Sequence, residues 1–128
     1  MTMIKNNDKP ELSKLAYDVT QKGATEMPFT GKYYNFNKNG IFLCVCCNES
    51  IFNSKDKFDS GSGWPSFKKT IDINKVSLIE DNSHSMKRVE VKCNCGAHLG
   101  HVFDDGPRPD GKRYCINSVA LKFSENGI

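Results

Sequence analysis

The apolar and polar positions divide the chain into a short helical opening and a longer β-textured body. Leu12, Leu15, Ala16 and Val19 recur at three- and four-residue spacing, which predicts one face of a short amphipathic helix. Asp8 followed by Glu11 has the form of a capping box, Pro10 suits a first turn, and Gly23 is a natural stop. Ala24 to Asn39 is rich in turn formers and reads as loop or short helical turns around the core. Beyond Gly40 the texture changes. Gly40–Cys44 is an apolar run, and Arg88, Glu90 and Lys92 alternate with Val89, Val91 and Cys93, the period-2 mark of a half-buried strand. The last segment is the clearest: in Arg113–Phe123 the alternate residues Cys115, Asn117, Val119, Leu121 and Phe123 share one face of a strand. Short strands separated by Gly and Pro turns, with helix only at the N-terminus, predict a mainly antiparallel β domain.

The chain has 128 residues, a length that predicts one domain over 1–128. A formal charge of +3 with dispersed lysines gives no basic stripe, so no nucleic-acid partner is expected. The first twenty residues are polar and lack the apolar core of a secretory leader, and no run approaches the roughly 18 apolar residues of a membrane span. No membrane association is expected, and a reducing, cytoplasmic setting fits. Six cysteines in such a setting point to metal binding or thiol chemistry rather than to a disulfide framework.

Cys44 and Cys47 form a C-x-x-C pair, and Cys93 with Cys95 forms a C-x-C pair. A tetrahedral zinc with Zn–S near ~2.3 Å needs sulfurs about 3.8 Å apart, and two pairs on tight turns meet that requirement. One structural zinc ion is the expectation, since four thiolates leave no open position for catalysis. The single spacer of the C-x-C pair leaves less room, Cys46 is a competing ligand, and the alternative is that some of these thiols are small buried hydrophobes.

Cys115 stands apart from that cluster, in R-Y-C-I-N-S. Arg113 and Asn117 flank it, and His98 and His101 lie upstream in A-H-L-G-H-V-F. Taken alone, Cys115 is more often an ordinary β-core residue, and a single His on an apolar strand is usually a hydrogen-bonded core histidine. Together they are costly to bury without purpose, and an imidazole can stabilise a thiolate and move protons. Trp64, the only tryptophan, sits on the Gly/Pro loop D-S-G-S-G-W-P-S-F, as a core anchor or as the wall of a pocket. A zinc-ribbon-like binding module without catalysis would explain the paired cysteines and leave Cys115, the histidines and Trp64 unused.

Taken together, C-V-C-C-N-E-S-I-F, K-F-D-S-G-S-G-W-P-S-F, G-A-H-L-G-H-V-F-D-D-G-P and R-Y-C-I-N-S-V-A-L-K-F resemble the B-type methionine sulfoxide reductases over roughly Leu12 to Phe123. The resemblance implies two antiparallel β-sheets with short N-terminal helices, clipped by zinc. It implies reduction of the R epimer of methionine sulfoxide in oxidised peptides and proteins. Cys115 matches the nucleophile; His98, His101 and Asn117 match polar residues around the sulfoxide; and Arg113 matches the charged neighbour of the nucleophile. Trp64, with Phe103, corresponds to the substrate-binding aromatic residues, and Cys44, Cys47, Cys93 and Cys95 to the metal ligands. Two positions depart from the pattern. The second cysteine pair is C-x-C where zinc-holding members have C-x-x-C, and Ser62 stands where many members carry a resolving cysteine. Direct reduction by a thioredoxin-like protein or a small thiol is then expected, with Cys46 or a cysteine of the second pair as the alternative resolving thiol, and a monomer is the expected state.

Overall fold

In the computed structural model the described residues are 12–125. The helix, α1, spans Lys14–Lys22. Ser13 caps its start by accepting a hydrogen bond from the Ala16 amide, and Gly23 ends it in the left-handed conformation at φ 74°. Asp8, Pro10 and Glu11, the expected start, lie outside the described residues. The buried side of α1 is Ala16, Val19 and Thr20, whereas Leu15 is 44% exposed. The apolar stripe is thus narrower than its spacing suggested, because the Thr20 hydroxyl can be buried by donating to the Ala16 carbonyl at 2.8 Å.

Nine strands follow among the described residues, in two sheets whose neighbours all pair antiparallel. β1 (Ile41–Cys44), β2 (Ser50–Asn53) and β9 (Leu121–Ser124) form a three-stranded sheet in the order β2-β1-β9. β3 (Lys57–Phe58), β4 (Ser66–Phe67), β5 (Val76–Asp81), β6 (Arg88–Cys93), β7 (His98–Phe103) and β8 (Arg113–Ile116) form a six-stranded sheet in the order β3-β4-β8-β7-β6-β5. The mainly β, two-sheet expectation therefore holds. Aromatic side chains join the layers: Phe52 of β2 stacks on Phe67 of β4 with centroids 4.3 Å apart, and Phe42 of β1 meets Phe67 edge-on at 5.2 Å.

The C-terminal segment corrects the sequence reading. It is not one strand. β8 ends at Ile116, a 3-10 turn covers Ser118–Ala120, and β9 then joins the other sheet beside β1. Alternation holds within β8, where Tyr114 and Ile116 face the core while Arg113 and Cys115 face the open side. It cannot continue past Asn117, because the chain must cross between layers there. Apolar residues at Val119, Leu121 and Phe123 keep the period while changing sheet.

That crossing is held by Glu26, which is 2% exposed. Its carboxyl oxygens accept from the amides of Ser118 at 2.9 Å and Val119 at 3.2 Å, and its own amide donates to Asn117 Oδ1 at 3.0 Å. Its carbonyl accepts from Trp64 Nε1 at 3.0 Å. Gly31 makes this approach possible, since a Cβ there would lie 2.5 Å from Glu26 Oε2 and 2.2 Å from Ser118 Oγ. Replacing Glu26 by Ala strands a buried amide at Ser118 and a half-buried one at Val119, and urea unfolding is expected to show a loss of about 3 kcal/mol.

Candidate active site and thiolate cluster

Two turns bring four sulfurs together. After β1 the chain reverses through Cys44–Asn48, with Asn48 Nα donating to the Cys44 carbonyl at 2.8 Å and Asn48 left-handed at φ 66°. After β6 it reverses through Cys93–Gly96, closed by Gly96 N to Cys93 O at 2.8 Å with Gly96 at φ 100°. The Sγ atoms of Cys44, Cys47, Cys93 and Cys95 all lie within 4.8 Å of one another, with Cys44–Cys95 at 3.7 Å and Cys47–Cys93 at 3.5 Å. These separations suit a tetrahedral thiolate site, whose edges are about 3.8 Å. The short C-x-C spacing is accommodated because left-handed Gly96 tightens the turn.

The four thiols are electrostatically unequal. Hydrogen bonding from Cys44 pulls Cys93 down to about 5, while hydrogen bonding to Cys46 pushes Cys44 far above the ordinary thiol range. Four thiolates at this spacing need a cation, and the donor set is that of a soft divalent metal. Cys44 ends a strand of the small sheet and Cys93 one of the large sheet, so a metal here clips the two layers together. Lys75 and Glu49 add a 2.6 Å ion pair between the same two regions.

Cys115 is not part of this cluster. Its cross-strand partners are Ser66 on β4 and His101 on β7. Gly100, beside His101, has no room for a side chain, because a Cβ would fall 2.0 Å from the Cys115 carbonyl oxygen. This close approach packs β7 against β8 directly behind the thiol. Cys115 opens into a cavity of about 90 Å³, whose walls include Trp64, Phe103, His101, Arg88 and Asn117. Trp64 is therefore a pocket wall, oriented by its bond to the Glu26 carbonyl, and it is outside the buried core cluster.

The polar side chains around the cavity are tied down individually. His101 Nε2 lies 2.8 Å from Asp81 Oδ2, and Arg88 Nη2 lies 3.4 Å from the same oxygen. The His101 hydrogen bond holds the Asp81 carboxyl well below the usual carboxylate range, while burial holds His101 below the ordinary imidazole value despite that carboxylate. The pair is thus a neutral imidazole donating to an ionised acid, which leaves Nδ1 as an acceptor. Asn117 is 3% exposed and spends its amide on backbone, accepting from Glu26 N and donating to Leu99 O at 3.1 Å. His98 is 4% exposed and does not line the cavity. Its Nδ1 lies 2.7 Å from Glu90 Oε2, its Nε2 is buried without a partner, and its ring sits 5.5 Å from that of His101. Arg113 is held by Asp105 through Nε at 2.8 Å, with its guanidinium 4.5 Å over the Phe103 ring. Burial raises the Cys115 thiol, opposed by hydrogen bonding to the Ser62 hydroxyl and by the positive charge of Arg113.

Against known proteins, the SelR domain model matches residues 12–125. A peptide methionine sulfoxide reductase MsrB of Thioalkalivibrio sulfidiphilus (strain HL-EbGR7) is 48% identical over 132 residues, covering 94% of this chain and 96% of the relative. One from Hahella chejuensis (strain KCTC 2396) is 49% identical over 127 residues, covering 96% and 91%. The chain belongs to the B-type methionine sulfoxide reductase family. The non-catalytic ribbon reading gives way to a family of oxidoreductases that act on sulfur.

Within that family frame, sequence reasoning missed Glu26, Asp81, Glu90 and Arg88. Arg88 and Glu90 lay in the open by their alternation in β6. Nothing local marked Asp81 or Glu26, which reach the site only through pairing of β5 with β6 and through the loop before β1. No helix among the described residues is long and apolar enough to cross a membrane.

Cobalt(II) added to metal-free protein is expected to give the visible absorption of a tetrahedral thiolate site, in a 1:1 ratio. Cys44→Ser should lose that spectrum and lower the thermal midpoint by more than about 10 °C, because structural metal binding carries folding free energy on the order of 10 kcal/mol.

Proposed function

We propose that this protein reduces the R epimer of methionine sulfoxide in oxidised peptides and proteins, with Cys115 as nucleophile and the protein acting as a single-domain monomer in the cytoplasm. The observation that carries the reading is one thiol, separate from the metal-type cluster, opening into a small cavity with an imidazole–carboxylate pair on one side and two aromatic walls on the other. Family membership sets the substrate class.

The sulfoxide methyl group lies against Trp64 and Phe103, and only the R epimer then turns its oxygen toward His101. Neutral His101, held by Asp81, takes the Cys115 proton on Nδ1 and passes it to the sulfoxide oxygen. The Cys115 thiolate attacks the sulfoxide sulfur, the oxygen passes to Cys115, and methionine leaves with its thioether restored. Arg113 favours the thiolate. Asn117 lines the cavity while its amide fixes the backbone beside Cys115. His98 acts from behind, through its contact with His101.

Cys44, Cys47, Cys93 and Cys95 would hold one zinc ion, which supplies a cross-link between the sheets and charge balance for four thiolates. The sulfenic acid left on Cys115 is reduced by an external thiol, a small molecule or a thioredoxin-like protein, since Ser62 supplies no internal sulfur.

Cys115→Ser should abolish turnover of an R-sulfoxide peptide in the presence of dithiothreitol while leaving metal content unchanged. Equal loss of metal would defeat the division of labour among the cysteines. The pH profile gives a second check. The reactive form needs neutral His101, whose pKa is lowered by burial, so kcat/KM should hold as pH falls to the ordinary imidazole value and decline only below it. Asp81 pulls that pKa upward. Asp81→Asn should therefore move the acid limb to still lower pH and reduce kcat on the order of 10²-fold; an upward move would refute the pairing.

A further inference from the structure

The Cys115 sulfur has a second side. Ser62 Oγ lies 3.9 Å from it, and Ser62 and Arg113 also belong to the wall of another, larger cavity of about 470 Å³. Phe58, Ser60, Asp105, Gly106 and Pro107 complete that wall, with Asp105 paired to Arg113 so that the free cations lie farther out, and the two cavities share no lining residue. The partition between them is visible in one contact: Phe103 lines the smaller cavity, and Arg113, stacked on its ring, lines the other. Pro107 continues the larger space into an adjoining hollow of about 300 Å³ rimmed by Lys55, Lys68, Lys69 and Arg108. None of these four cations is engaged in an ion pair among the described residues, and only Asp56 and Asp110 oppose them there.

Displacement at a sulfenic sulfur constrains direction. The incoming sulfur, the cysteine sulfur and the departing oxygen must be nearly collinear. On the Cys115 reading above, on which this inference rests, the oxygen is left on the His101 side. The attacking thiol must therefore arrive from the side held by Ser62 and Arg113.

We propose that the cavity behind Ser62 and Arg113 is the entry site for the reductant, and that it takes a carboxylate-bearing low-molecular-weight thiol. Its thiolate attacks the Cys115 sulfur, an S–S bond forms, the S–O bond breaks, and the hydroxide leaves as water after taking a proton from the His101 side. A second molecule of the thiol attacks the first at its own sulfur, releasing Cys115 as thiolate and the reductant as its symmetrical disulfide. Two reductant thiols are oxidised and one sulfenic acid is reduced. The basic rim around Pro107 draws the carboxylates toward the opening and falls in strength with added salt.

The test separates the two half-reactions. Intact protein is mixed with one equivalent of an R-sulfoxide peptide without reductant, and the methionine formed is counted. Glutathione or 2-mercaptoethanol is then added, and the loss of dimedone-reactive Cys115 is timed. Pro107→Trp, at an exposed position, should leave the methionine burst unchanged and slow reduction by both thiols about tenfold or more. The pair Lys69→Glu and Arg108→Glu should also leave the burst unchanged, slow glutathione about tenfold, and leave 2-mercaptoethanol at its original rate. Reduction of Pro107→Trp at the original rate, or a parallel fall in its burst, overturns the entry site. An unaltered glutathione rate in the charge-reversed protein overturns the anionic ligand. Absence of a burst in the unmodified protein is a different failure, that of the Cys115 reading, and takes this inference with it.

Discussion

The buried carboxyl group of Glu26 is the constraint on which the site depends. At Asn117 the chain must leave the large sheet for the small one, and a crossing of this kind leaves backbone amides without strand partners. Buried amides of this sort are costly unless they find acceptors. Glu26 supplies two acceptors with its side chain, at Ser118 and Val119, and with its own backbone reaches Asn117 and Trp64. One residue from the loop before β1 thereby sets the position of the strand end that carries Cys115 and of the aromatic wall opposite it. The cavity has its dimensions because both walls are tied to the same knot.

The metal-type cluster plays a related part between the two sheets. It joins the end of β1 to the end of β6, and β7, with His98 and His101, starts directly after it. Thiols of one chemical kind are thus separated by placement. Four sit on tight turns where they can share a cation. One sits on the open face of a strand, paired across to an imidazole whose own partner is an ionised carboxylate. The raised Cys115 pKa is consistent with such a design, because a half-buried thiol that keeps its proton is protected until a substrate oxygen is present to receive it.

The local readings that survived were those whose physics is local. The alternation in Arg88–Cys93, the run ending at Cys44, the left-handed Gly23 and the paired cysteines each follow from two to six neighbouring residues. The longer reading of Arg113–Phe123 as one strand failed because a period of two cannot report a change of sheet. The Trp64 loop offered two equal readings, and what separated them was a hydrogen bond to a residue 38 positions away.

The sequence by itself determined the chemistry available: four thiols spaced for a metal, one thiol apart, and the imidazoles, amide and indole that resemble a sulfoxide reductase. Tertiary structure alone decided the placement within that set. It put His101 on the cavity and His98 behind it, assigned Asp81 and Arg88 to a site from which they are remote in sequence, and turned the amide of Asn117 toward backbone. The reason is that residue type fixes what a group can do, whereas its protonation, orientation and reach depend on neighbours that strand pairing brings from distant parts of the chain.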